Sequence, residues 1–124
     1  AGLREGAAVM FDSTKTGQRV KAPTGAAVAG VAGVIADVLG SAGTAVGQDI
    51  NLQKDEIGSV ILAAGQTVAS GDALVVAGTD GSLRALNTGT DDGADIVAYS
   101  EVARTAGATN ELISARITIT RFKA

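Results

Sequence analysis

Apolar and polar positions alternate most regularly near the end of the chain, where Ile113, Ala115, Ile117 and Ile119 interleave with Ser114, Arg116, Thr118 and Thr120. A period of two marks a strand with one face in a core, so a strand is expected over residues 112–122. Residues 59–63 are apolar on both faces and read as a central strand. The stretch 64–86 states the architecture most clearly. Two short apolar runs, 73–77 and 83–86, flank Thr79-Asp80-Gly81-Ser82, and Asp80-Gly81 between such runs predicts a hairpin closed by a type I′ turn. Upstream, Ser70-Gly71-Asp72 predicts a second tight turn: Gly71 relieves the steric block, and the Asp72 carboxylate can bond its own backbone.

The same reading extends along the chain. Short strands are expected over 7–11, 18–22, 33–38, 48–53 and 95–103. Residues 25–32 are loop or strand, Lys54-Asp55-Glu56 reads as a solvated turn, and 87–93 and 104–110 read as loops. Alanine in residues 26–39 favours helix, but Gly30, Gly33 and the β-branched Val28, Val31, Val34 and Ile35 favour buried strand. Residues 33–36 followed by Ser41-Ala42-Gly43 faintly echo residues 95–98 followed by Thr105-Ala106-Gly107. The expected fold class is all-β: a small β-sandwich or barrel-like domain with short strands, Gly/Ala-rich turns and at most one short helix. Pro23-Thr24-Gly25 marks a boundary between an N-terminal arm and short β unit (residues 1–24) and a compact β domain (25–124), one domain overall.

Composition changes that picture in one respect. The chain has 124 residues with 24 Ala and 17 Gly, against two Phe, one Tyr and no Trp. Its core must come from 29 Val, Ile and Leu side chains, which supply less apolar area per ordered residue than an aromatic core. Such a fold is expected to gain stability from a partner surface, unless Ala packs tightly enough for the monomer alone. Charge is uneven: residues 1–24 carry a balance of +2, residues 25–101 of −8, and residues 102–124 of +3. Basic ends around an acidic middle either lie together on an acidic partner or pair with the middle of the chain.

Candidate chemistry is sparse. With no His and no Cys, the Ser-His-Asp triad, thiol chemistry and the usual zinc and haem ligand sets are excluded. Asp91 and Asp92, with Asp95 nearby, lack the calcium-loop spacing and read as solvating turn residues. No G-x-x-x-x-G-K-[ST] cradle is present. Lys54 in an exposed charge run has nothing to lower its pKa, and Tyr99 reads as a core or interface aromatic. No cofactor is expected and the chain is read as a non-enzyme. An acidic chain without basic clusters or stacking aromatics is a poor nucleic-acid binder. The apolar stretch 26–40 is too short and interrupted to span a bilayer, and no basic n-region followed by an apolar run is visible at the start, so neither a signal peptide nor a membrane span is expected and the chain is read as a soluble protein.

Two resemblances bear on function. Residues 66–76 resemble the turn of biotinyl and lipoyl carrier domains, but those domains present a modified Lys at a neighbouring hairpin tip, and here no Lys lies between Asp55 and Arg121. A carrier or surface ligand-binding module is therefore the alternative reading. Residues 64–75, Asp80-Gly81-Ser82-Leu83-Arg84, Ile96-Val97-Ala98-Tyr99-Ser100 and Thr105-Ala106-Gly107, within a chain rich in small residues, resemble capsid decoration (cement, head-stabilising) proteins of tailed bacteriophages. The likeness covers residues 33–119. It implies a β-rich structural protein on the outer capsid surface of the virion, made in the host cytoplasm, with the major capsid protein as partner and a homotrimer on the capsid. It also implies an N-terminal arm touching the shell, which makes Ala1, Gly2, Leu3, Arg4 and Glu5 the interface candidates. Leu3 would be the apolar anchor, Arg4 a charge contact, and the backbone of the arm an added strand at a capsid sheet edge.

Overall fold

The alternating segment at the end of the chain becomes the strand around which a barrel closes. In a computed structural model, residues 5–11, 20–26, 31–38, 50–53, 55–91 and 95–119 are described. They form eleven strands: β1 (Ala8–Phe11), β2 (Val20–Lys21), β3 (Val31–Val38), β4 (Ile50–Gln53), β5 (Asp55–Leu62), β6 (Thr67–Val68), β7 (Ala73–Val76), β8 (Leu83–Ala85), β9 (Ala98–Ser100), β10 (Arg104–Thr105) and β11 (Glu111–Thr118). The all-β expectation holds, and no α-helix occurs among the described residues. β11 pairs with β5 along its whole length, from Glu111 opposite Leu62 to Thr118 opposite Asp55. Its other edge pairs with β9. β7 joins β9 and β8 antiparallel, and a parallel contact of Leu62 with Leu83 between β5 and β8 completes the barrel β11-β5-β8-β7-β9.

Burial follows the parity of the strands. Ile113, Ala115 and Ile117 point inward with Val60, Leu62, Leu74, Val76, Leu83, Val97 and Ala98, while Ser114 and Arg116 are exposed. Each fully buried Leu or Ile stabilises the fold by about 1.5–3 kcal/mol. Ile61 has the opposite parity, yet it too is buried, because a second layer covers it. That layer is the antiparallel sheet β2-β1-β3-β4. Ala8 and Val34 of its inner strands join the barrel core, whereas Ala7, Val9 and Ile35 form a second cluster with Ile61. The small side chains of β1 thus let one strand be buried on both faces, and β1 beside β3 puts residues from either side of Pro23 in one sheet.

Several expected elements come out differently. Asp55 and Glu56 open β5 and are not a turn, because β11 extends far enough to pair with both. β9 covers only three residues of the expected 95–103 strand. Within the expected loop 104–110, Arg104 and Thr105 pair with β6 to make a separate two-stranded ribbon, so the turn at 70–72 connects strands of different sheets. Of the echoed segments, 33–36 lies in β3, whereas only Ala98 of 95–98 belongs to a strand, β9 of the barrel. Residues 40–47, which read as loop from the sequence, and the expected strand ends at residues 48–49 and 120–122 fall outside the described residues. β3 begins at Val31, two residues before the expected strand.

Candidate functional site

Of the five arm residues, Glu5 is described and exposed, and Ala1, Gly2, Leu3 and Arg4 fall outside the described residues. The place from which the arm departs is well defined. Gly6 donates its N–H to the Ile35 carbonyl (2.8 Å) and accepts from Ile61 N–H (3.1 Å), so it ties the sheet to the barrel. Its φ is +88°, and a β-carbon there would lie 2.6 Å from Leu112 Cδ2 and 3.1 Å from Ile61 Cγ1. The positive φ calls for glycine, while the tip of the exposed Leu112 side chain can swing aside. The arm therefore leaves beside the start of β11, next to Leu112. The two basic segments, residues 1–24 and 102–124, therefore meet where Gly6 lies against Leu112.

The Asp80-Gly81 turn has a different form from the one the dipeptide suggests. Gly81 N–H bonds the Gly78 carbonyl, which makes Thr79 and Asp80 the central residues and places Gly81, at φ +81°, last in the turn. A type I′ turn would centre on Asp80 and Gly81. The turn is also not a free tip. Gly81 is buried, its carbonyl accepts from Ala8 N–H (2.9 Å), and an added β-carbon would sit 2.7 Å from Ala7 Cβ and 2.8 Å from the Ala8 carbonyl oxygen.

Asp80 holds this arrangement from the other side. Its Oδ1 accepts from the Ser82 hydroxyl (2.6 Å) and Ser82 N–H (3.0 Å), and its Oδ2 accepts from Asn110 Nδ2 (2.9 Å). Asn110 Oδ1 in turn accepts from Ala64 N–H (2.9 Å). The Ser82 hydroxyl bond, more than any other contact, holds the Asp80 carboxyl below the usual range, against the opposing effect of its partial burial. At the other turn, Asp72 behaves as its sequence suggests: its Oδ2 accepts from Ala69 N–H (2.8 Å), and Gly71 takes φ +91° with its N–H on the Ser100 carbonyl.

Of the acidic residues weighed for chemistry, Asp91 serves the structure. Asp91 is not a solvated loop acid: its side chain is 5% exposed, forks onto Arg84 at 2.7 and 3.1 Å, and accepts from Asn87 N–H. The Arg84 bond lowers the Asp91 pKa. Glu111 likewise accepts from Gly107 N–H and Arg104, and its pKa falls for those reasons in that order. Lys54 and Asp92 lie outside the described residues, and Tyr99 stands on the outer face of the barrel, not in its core. No group of three acids among the described residues could hold a metal ion. The sequence reading missed the Gly6 seat and the Asn110 bridge. The one local signal for Asn110 is a short polar side chain just before a strand, a position that favours backbone contacts.

No protein-family model matches the chain, and no curated protein matches it. Among solved structures the chain is similar to the N base of head fiber gp8.5 of bacteriophage phi29, at 14% identity and a TM-score of 0.61, over 98% of this chain and 90% of that one. At that identity the likeness shows a shared fold.

Proposed function

We propose that this chain is a non-enzymatic structural protein of a tailed-phage head. In this reading it binds the outer surface and bridges neighbouring major capsid subunits, stabilising the expanded shell. The observation that carries the reading is the fold shared with a head-fibre base over nearly the whole of both chains. The turns and strands that resemble decoration proteins support it. The protein is made in the host cytoplasm, joins the virion, and sits there as a homotrimer. Its action is ordinary linkage: a protein that binds only the assembled shell stabilises that state, and many weak repeated contacts act together. Residues 1–5, departing beside Leu112, add backbone hydrogen bonds at a shell sheet edge, with Leu3 as the apolar anchor. The carrier alternative has little to stand on, since the Asp80-Gly81 turn has no Lys and its Gly81 is packed under β1.

The test is a binding assay with purified expanded heads that lack this chain. Saturable binding without turnover of any substrate is expected; heads that take up none of it would overturn the proposal.

A further inference from the structure

Asp80-Gly81 has the makings of a reaction of the main chain with its own side chain. The Gly81 amide nitrogen can attack the Asp80 side-chain carboxyl: an N–C bond forms, the carboxyl C–O bond breaks, the nitrogen gives up its proton, and water leaves. Water then reopens the five-membered imide. Opening at the original main-chain carbonyl leaves an isoaspartate, with the backbone routed through the former side chain. Glycine in the second position has no β-carbon to hinder closure of that ring. Burial does not protect Asp80, which is exposed.

Its hydrogen bonds oppose the reaction instead. Ring closure needs a protonated carboxyl, so that water can leave, and a carboxyl carbon brought against the Gly81 nitrogen. Both carboxylate oxygens accept bonds, Oδ1 from the Ser82 hydroxyl and N–H and Oδ2 from Asn110 Nδ2, and such bonds favour the ionised form. The Oδ1 contacts also aim the carboxyl at residue 82, past the nitrogen that it would have to meet. The main chain is held as well. Gly81 N–H donates to the Gly78 carbonyl, the Gly81 carbonyl accepts from Ala8 N–H, and Ala77 N–H donates to the Ser82 carbonyl at 2.7 Å.

We propose that Asp80-Gly81 is a latent isomerisation site, guarded in the folded chain by the Ser82 and Asn110 contacts and open to reaction once the turn unfolds. An isoaspartate lengthens the main chain by one carbon in a turn whose Gly81 has no room towards Ala7 and Ala8. It also moves the carboxylate away from Ser82 and Asn110. A chain that isomerises while unfolded therefore cannot rebuild this turn under β1.

The experiment holds the whole chain at neutral pH, folded or unfolded in guanidinium chloride, and follows isoaspartate by peptide mapping. The readout is taken at residue 80 alone, because Asp92-Gly93 is a second such dipeptide. The folded chain should isomerise there more than about tenfold more slowly than the unfolded one, its rate scaled by the fraction of open turns. Ser82→Ala and Asn110→Ala should each speed the folded chain several-fold and leave the unfolded rate unchanged, since glycine still follows Asp80. Gly71→Ala, which strains a different turn, should leave the rate at residue 80 as in wild type. After the denaturant is diluted, the refolded fraction should be depleted of isoaspartate at residue 80. Equal rates in folded and unfolded wild type would overturn the guard, and folded Ser82 and Asn110 variants that match wild type would overturn its assignment to those contacts. Isoaspartate at equal levels in refolded and unrefolded chains would overturn the bar to refolding.

Discussion

Gly65, Gly71 and Gly81 all have positive φ, yet a methyl group at each meets different surroundings. At Gly65 and Gly71 there is open space within 4 Å, so an Ala substitution costs only the backbone strain, about 1–2 kcal/mol. At Gly81 the same strain is joined by a collision with the backbone of β1, and overpacking adds about 1–3 kcal/mol. Urea unfolding should place Gly81→Ala clearly below Gly65→Ala and Gly71→Ala; equal losses would mean that β1 yields. The acids make a second prediction. Asp80, Asp91 and Glu111 have lowered pKa values in the folded chain, so the unfolded chain binds protons first as pH falls. Their stabilisation is fully present above the ordinary carboxylate range, about 3.9–4.3, and is lost as pH drops through and below it. Melting temperature should decline below about pH 4, and Asp80→Asn should flatten that decline. Turn letters are legible in the sequence at this scale. What packs on a turn is not, because Ala7 and Ala8 lie more than seventy positions from Gly81.

Elements with a regular period could be read directly. The inward and outward sets of β11 match the alternation of Ile113, Ala115 and Ile117 with Ser114 and Arg116, and Gly33 with its β-branched neighbours is strand, as expected. Pairing lengths were harder to see, since they depend on the partner. Asp55 and Glu56 look solvated by composition but are strand because β11 reaches them. The parallel contact of β5 with β8 has no local signature at all. Leu83 sits at that closure, fully buried and opposite Leu62, and Leu83→Ala should cost about 2–5 kcal/mol by chemical denaturation. A loss under about 1 kcal/mol would indicate that the barrel closes without it. Gly58 offers a related test. The side chain of Gln53 rests where a β-carbon at Gly58 would stand, with its Oε1 buried and without a hydrogen-bond partner among the described residues. Gly58→Ala should push the end of that flexible side chain out to water, where its amide finds partners, so stability in urea unfolding should hold or rise; a clear loss would mean that the Gln53 side chain packs usefully where it is.

For the whole molecule, a core of Val, Ile, Leu and Ala closes without Trp because two layers share β5: Val60 and Leu62 face the barrel interior, and Ile61 faces the covering sheet. Composition indicated small-residue packing, but not that one strand would serve both layers. The same arrangement sets where an arm can act, since Gly6 is fixed between sheet and barrel while Glu5 is exposed. Removing residues 1–5 should therefore weaken head binding and leave the melting temperature nearly unchanged, because the contacts of Gly6 onward remain. Function was less legible than fold, for a physical reason: the proposed role, covering a seam between other subunits, needs no reactive group and so leaves turns and strands in a sequence but no chemical motif. The direct measurement is the number of copies retained on purified expanded heads as the free protein is titrated. The account predicts saturation at a fixed copy number in proportion to the hexamers of the shell. Uptake that never saturates, or none at all, would contradict it.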